Sequence, residues 1–110
     1  MSELLSLNIE SGTDGPTVHV AGEIDISTAP ELSECLAALA HEPVVQVDLT
    51  EVAFVESSGL AVLITEHKRR VATGGTLVIS GSSPLALRVF EITGLDRVLN
   101  LDGDSVSERG

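Results

Sequence analysis

The segment Val44-Val45-Gln46-Val47-Asp48-Leu49, followed by a change of hydrophobic period, constrains the fold of this chain more than any other feature. The segment is short, β-branched and nearly continuous in apolar character, as expected of an interior strand covered on at least one face. From Leu60 the apolar spacing lengthens to three and four. Leu60, Leu63, Ile64, His67 and Val71 form one helical stripe, with His67 its only polar member, closed by Gly74-Gly75. Thr76-Leu77-Val78-Ile79-Ser80 then reads as another strand. Strand, helix and strand in this order describe a right-handed crossover between parallel neighbours.

The flanks extend the pattern. Leu5, Leu7 and Ile9 alternate with Ser6 and Asn8, residues 11–16 break the run, and Val18, Val20 and Ile24 resume it with His19 on the other face. That is a β-hairpin. Thr28-Ala29-Pro30-Glu31 has the spacing of a capping box with proline in the first turn, and Leu32, Cys35, Leu36 and Leu39 carry a helix to His41-Glu42-Pro43. Cys35 thus reads as core, not as a nucleophile. Ser82-Ser83-Pro84 opens a third helix with Leu85, Val89 and Ile92 on its buried face and Gly94 as its stop, and Arg97–Leu101 forms a last strand. The fold class is α/β: a single-layer mixed β-sheet, an N-terminal hairpin then parallel βαβ units, with helices packed against it. One domain spans residues 1–101, and 102–110 form a polar, acidic tail expected to be mobile.

Seventeen acidic residues against six basic ones give a net charge of −11. This balance disfavours direct binding to nucleic acid or anionic lipid and suits a cationic protein surface. The basic cluster Lys68-Arg69-Arg70 falls in the last turns of a predicted helix, where it complements the dipole. No apolar stretch is long enough to span a bilayer, and Met1-Ser2-Glu3-Leu4 does not resemble a secretory signal. A soluble cytoplasmic protein with Cys35 reduced is therefore expected.

Enzyme constellations are missing. The chain has no phosphate loop, no dinucleotide fingerprint and no metal-ligand spacing around His19, His41 or His67. Val55-Glu56-Ser57-Ser58-Gly59 lacks the glycine that a hydrolase elbow places two residues before its serine. No catalytic residue, metal or cofactor is expected. The same segment does place two hydroxyls and a carboxylate at a helix entrance, where Ser57 or Ser58 can cap, Gly59 permits close approach to the backbone, and the free amides of the first turn favour an added anion. Phosphorylation suits this position chemically, although capping alone also accounts for serine there.

Three segments in order, Gly22-Glu23-Ile24-Asp25, residues 47–60 from Val47-Asp48-Leu49-Thr50 to Ser57-Ser58-Gly59-Leu60, and residues 83–95, resemble the bacterial anti-sigma factor antagonists of the STAS domain family. The resemblance covers about residues 5–101. It implies a binding module that captures an anti-sigma factor with serine kinase activity and so releases a sigma factor, with a phosphatase as a further partner. Ser57 would be the phosphoryl acceptor, and Asp25 would lie near the partner-binding surface together with Glu23, Glu56, Ser58 and Gly59. Glu56 stands where the family usually carries Asp. The alternative readings are a STAS subunit of a stressosome or lipid-transport complex, and a small-ligand or nucleotide-binding domain.

Overall fold

The computed structural model describes residues 4–102. Five strands lie in sequence order: β1 (Leu5–Glu10), β2 (Thr17–Ile24), β3 (Val44–Val55), β4 (Thr76–Ser82) and β5 (Asn100–Leu101). β1 runs antiparallel to β2, and each later neighbour is parallel. Helices α1 (Ala29–Ala38), α2 (Ser57–Ala72) and α3 (Pro84–Thr93) connect the parallel strands, and a 3-10 turn, Leu95–Arg97, precedes β5. This is the mixed α/β sheet expected from the sequence. The part of the acidic tail at 103–110 lies outside the described residues.

Strand order explains where the core sits. When each crossover adds its strand on the same side of the last and has the usual right hand, all the connecting helices fall on one face. Burial follows suit: Val18, Val20, Val45, Val47, Leu49, Leu77 and Ile79 alternate inward and join Leu32, Leu36, Leu63 and Phe90 in one core. Their neighbours Thr17, His19, Gln46, Asp48, Val78 and Ser80 are only half-buried. The opposite face of the sheet is thus open and mainly polar.

Several local expectations require correction. β3 does not end at Leu49 but continues to Val55, with register shifts against β2 near Val20 and Gly22. Such bulges strengthen local twist and leave residues of β3 unpaired. Thr28 makes no side-chain cap bond to α1, so the capping box does not form. Its hydroxyl instead donates to Glu23 O at 2.8 Å and accepts from Asp25 N–H at 2.8 Å, closing the β2–α1 loop. On α2 the buried residues are Gly59, Leu60, Leu63, Glu66 and Arg70, whereas Val71 is 60% exposed. On α3 they are Ala86 and Phe90, with Val89 partly buried, while Leu85 faces solvent and Ile92 is 72% exposed. The last strand is a two-residue remnant because the 3-10 turn occupies Leu95–Arg97.

Other signals hold. Ser83 Oγ accepts from Ala86 N–H at 3.1 Å, and Gly94 leaves α3 with φ of +79°, a left-handed conformation that glycine adopts without a Cβ penalty. Cys35 is half-buried against the core, where desolvation pushes its thiol above the ordinary range.

The open face carries one cross-strand charge cluster. His19 on β2 bridges Glu10 on β1 at 2.7 Å and Asp48 on β3 at 2.8 Å. The hydrogen bonds to Glu10 and then Asp48 raise the imidazole above its ordinary value of 6.5. Folding therefore tightens proton binding, so this stabilisation is complete below the unfolded value and fades as pH rises through the folded one. Near pH 6 wild type should exceed His19→Gln by up to about 1 kcal/mol in urea denaturation, with the gap closing near pH 9. A gap unchanged between the two pH values would show that the proton plays no part.

Candidate functional site

The site lies at the carboxyl ends of β2 and β3, where the bulged end of β3 reaches past its last pairing with β4 at Leu49–Ser82. Glu56 N–H donates to Ile24 O at 3.0 Å, tying the start of α2 to the tip of β2. Glu56 is the N-cap residue, in an extended conformation, and its side chain makes no cap hydrogen bond. Its backbone carbonyl accepts the N–H groups of Gly59 and Leu60. The next residue, Ser57, is exposed and begins the helix. A hydroxyl is thus presented to solvent at the positive end of a 16-residue helix whose entrance has no side-chain cap.

The neighbouring residues divide into two roles. Ser58 turns inward: the residue is half-buried and its Oγ is buried without a hydrogen-bond partner. Gly59 is buried, and a Cβ there would stand 2.4 Å from Ile24 Cγ2 and 3.1 Å from Val55 Cγ2. The close approach that Gly59 permits within the chain is that of α2 onto β2 and β3. The helix entrance can lie flat on the strand tips only because this position has no side chain.

Asp25 holds its own loop together. Its Oδ1 accepts from Ser27 Oγ at 2.7 Å, Ser27 N–H at 2.9 Å and Thr28 N–H at 3.0 Å. The Ser27 hydroxyl does most to hold its carboxyl below the ordinary range, desolvation opposes this, and the backbone donors add to the lowering. The negative charge is therefore fixed at the β2 tip, beside the Glu56–Ser57 entrance. The same loop leaves Ile26 exposed. Ile26 carried no signal in the sequence because an isolated apolar residue in a loop fits no periodic pattern.

On the open face, Asp48 accepts from Thr50 N–H at 3.0 Å. Desolvation is the largest influence on Asp48 and pushes its carboxyl upward, but Thr50 and His19 together outweigh it and leave it below the ordinary range. A cleft of about 610 Å³ lies at the other end of the sheet, between the hairpin turn at Gly12–Gly15 and residues Glu42–Val44. It is remote from Ser57 and away from the carboxyl strand ends, where ligands of open α/β sheets bind. Among the described residues there is no cluster of three or more His, Cys, Asp or Glu able to hold a metal, and no helix long and apolar enough to cross a membrane.

Residues 7–101 match the family model "Mlab, STAS domain". An anti-sigma-B factor antagonist of Listeria monocytogenes is 38% identical over 100 residues, covering 86% of this chain and 88% of that protein. The anti-sigma-B factor antagonist of Bacillus subtilis is 30% identical over 102 residues, covering 92% and 94%. The crystal structure of an anti-sigma factor antagonist from Mycobacterium paratuberculosis superposes with a TM-score of 0.80 at 28% identity, over 91% of this chain and 86% of that one. With a five-stranded mixed sheet, a helix entrance at Ser57 and a match over nearly its whole described length, the chain belongs to the STAS domain family.

Proposed function

We propose that this protein is an anti-sigma factor antagonist, switched by phosphorylation of Ser57. In its unmodified form it captures an anti-sigma factor that is also a serine kinase, and the sigma factor held by that kinase is released. The kinase transfers the γ-phosphoryl group of ATP to Ser57 Oγ, capture fails, and a phosphatase restores the hydroxyl.

The observation that carries this reading is the placement of Ser57. It is an exposed hydroxyl on the first residue of α2, whose N-cap makes no side-chain bond, while its neighbours Ser58 and Gly59 turn inward. A phosphoserine there brings about −1.5 to −2 charge, which the helix N-terminus accommodates without unfolding the domain. Asp25, Glu23 and Glu56 supply an acidic surround at the same edge, and relatives at 30–38% identity bear the antagonist name. Incubation with candidate anti-sigma kinases and ATP, followed by mass spectrometry, should place a phosphoryl group on Ser57 and none on Ser57→Ala. Transfer to Ser58 or Thr50 would move the site and keep the function, whereas absence of transfer from every cognate kinase would remove the switch.

A further inference from the structure

At the tip of the open sheet face, two partly exposed apolar side chains, Leu4 and Phe54, flank Glu23. Ile24 pairs with Val55, and both side chains pack where Gly59 meets the sheet. Strand alternation therefore turns their neighbours Glu23 and Phe54, themselves partners across β2 and β3, to the opposite face. Leu4 extends the row: its carbonyl accepts Glu23 N–H at 2.8 Å, and because Leu5 is buried in the core Leu4 points outward. Leu4 is 48% exposed and Phe54 42%. Ser6, Ala21 and Glu51 form the next row on the same face.

Two facts say what this row fits. The chain has two phenylalanines and no tryptophan or tyrosine, and Phe90 is fully buried, so its other aromatic side chain is spent on an open surface. Exposed aromatics of this kind serve as anchors in protein interfaces. Moreover, every charged residue in 21–26 and 50–60 is a carboxylate: Glu23, Asp25, Glu51 and Glu56. A carboxylate, Glu23, flanked by Leu4 and Phe54, with Glu51 in the next row, complements a surface that sets lysine or arginine among apolar side chains, and it repels a second copy of a chain of net charge −11.

We propose that the partner which reads Ser57 also seats a cation on Glu23 and apolar side chains over Leu4 and Phe54, so that its contact runs from the α2 entrance around the β2–β3 tip onto the open sheet face. Only Val55 and Glu56 separate Phe54 from Ser57 in the chain, so both lie at the carboxyl end of β3. This rests on the anti-sigma factor reading of Ser57.

The test is calorimetric titration of the kinase that modifies Ser57 against wild type, Phe54→Ala, Leu4→Ala/Phe54→Ala and Glu51→Arg, with melting curves for each. Phe54→Ala should weaken binding at least tenfold and the double variant more. Glu51→Arg alters an exposed residue and so keeps the test valid if the apolar variants melt early; it should weaken binding most at low salt. Wild-type affinity in Phe54→Ala and Glu51→Arg would overturn the proposal and leave the Ser57 reading standing. Failure of wild type itself to bind would overturn both. Sedimentation of the chain alone is the control: a dimer dissolved by Phe54→Ala would assign the row to self-association and overturn the proposal.

Discussion

Ser57→Asp is expected to bind the anti-sigma factor tens- to hundreds-fold more weakly than Ser57→Ala, with no loss of stability. The two effects separate because Ser57 is exposed at the start of α2. A carboxylate in the first turn of a helix stabilises it by about 0.3–1 kcal/mol, so the variant should melt no earlier than wild type. Binding responds differently. A kinase that takes a proton from the Ser57 hydroxyl must place a basic group, usually a carboxylate, opposite that oxygen. A unit negative charge about 6 Å from such a group, at an effective dielectric of about 20, is repelled by roughly 3 kcal/mol before screening. Since about 1.4 kcal/mol is tenfold, the expected range follows. This local repulsion coexists with attraction between the acidic rim and a cationic partner, because the two act on different groups. Titration at two salt concentrations checks it: the Ala-to-Asp affinity ratio should shrink at high salt. Equal affinities for the two variants would sink the electrostatic switch.

Features legible in the sequence were those that each depend on one local rule. Ser83 before Pro84 starts α3 and Gly94 ends it, as capping and left-handed geometry require. Alternation along Val18, Val20 and Ile24 fixes the inward face of β2. The sequence misleads where a tertiary partner decides. Val71, Leu85 and Ile92 match a helical period, yet short helices with apolar residues on more than one side can dock by only one of them. Thr28 has the right spacing for a capping box but is drawn to Glu23 O and Asp25 N–H, groups brought near by the end of β2. At the site, Ser57 was legible because helix entry is local. The inward turn of Ser58, the burial of Gly59 and the outward row of Leu4 and Phe54 depend on where β1, β2 and α2 meet, which spacing does not encode.

Arg70→Ala should be the most destabilising single change considered, because Arg70 serves a helix other than its own. Its Nη2 donates to the carbonyls of Leu36 at 3.3 Å and Leu39 at 3.0 Å, and its Nη1 donates to Glu42 O at 3.0 Å. Those carbonyls lie at and beyond the end of α1, where Leu36 O and Leu39 O each also accept one backbone N–H, from Leu39 and Glu42. The guanidinium, 2% exposed like Glu66, also pairs with Glu66 Oε2 at 3.5 Å, a separation too long for a hydrogen bond and effective through charge alone. Removing the arginine leaves a buried carboxylate with only the half-exposed Arg69 at 3.0 Å, and it takes the side-chain donors from the Leu36, Leu39 and Glu42 carbonyls, of which the first two keep the N–H groups of Leu39 and Glu42. The expected loss is about 3–5 kcal/mol, enough to lower the melting temperature by more than about 10 °C in a domain of this size. Two variants separate the contributions. Glu66→Leu/Arg70→Leu should recover the part due to the unpaired charge, and the remaining deficit, about 1–3 kcal/mol, reports the lost guanidinium hydrogen bonds to the end of α1. Arg70→Lys keeps the charge but has no planar fork to span several carbonyls, so it should fall between wild type and Arg70→Ala. A loss below about 1 kcal/mol for Arg70→Ala in urea denaturation would mean that water satisfies the end of α1, and the buried arginine would then have no structural role to explain its position.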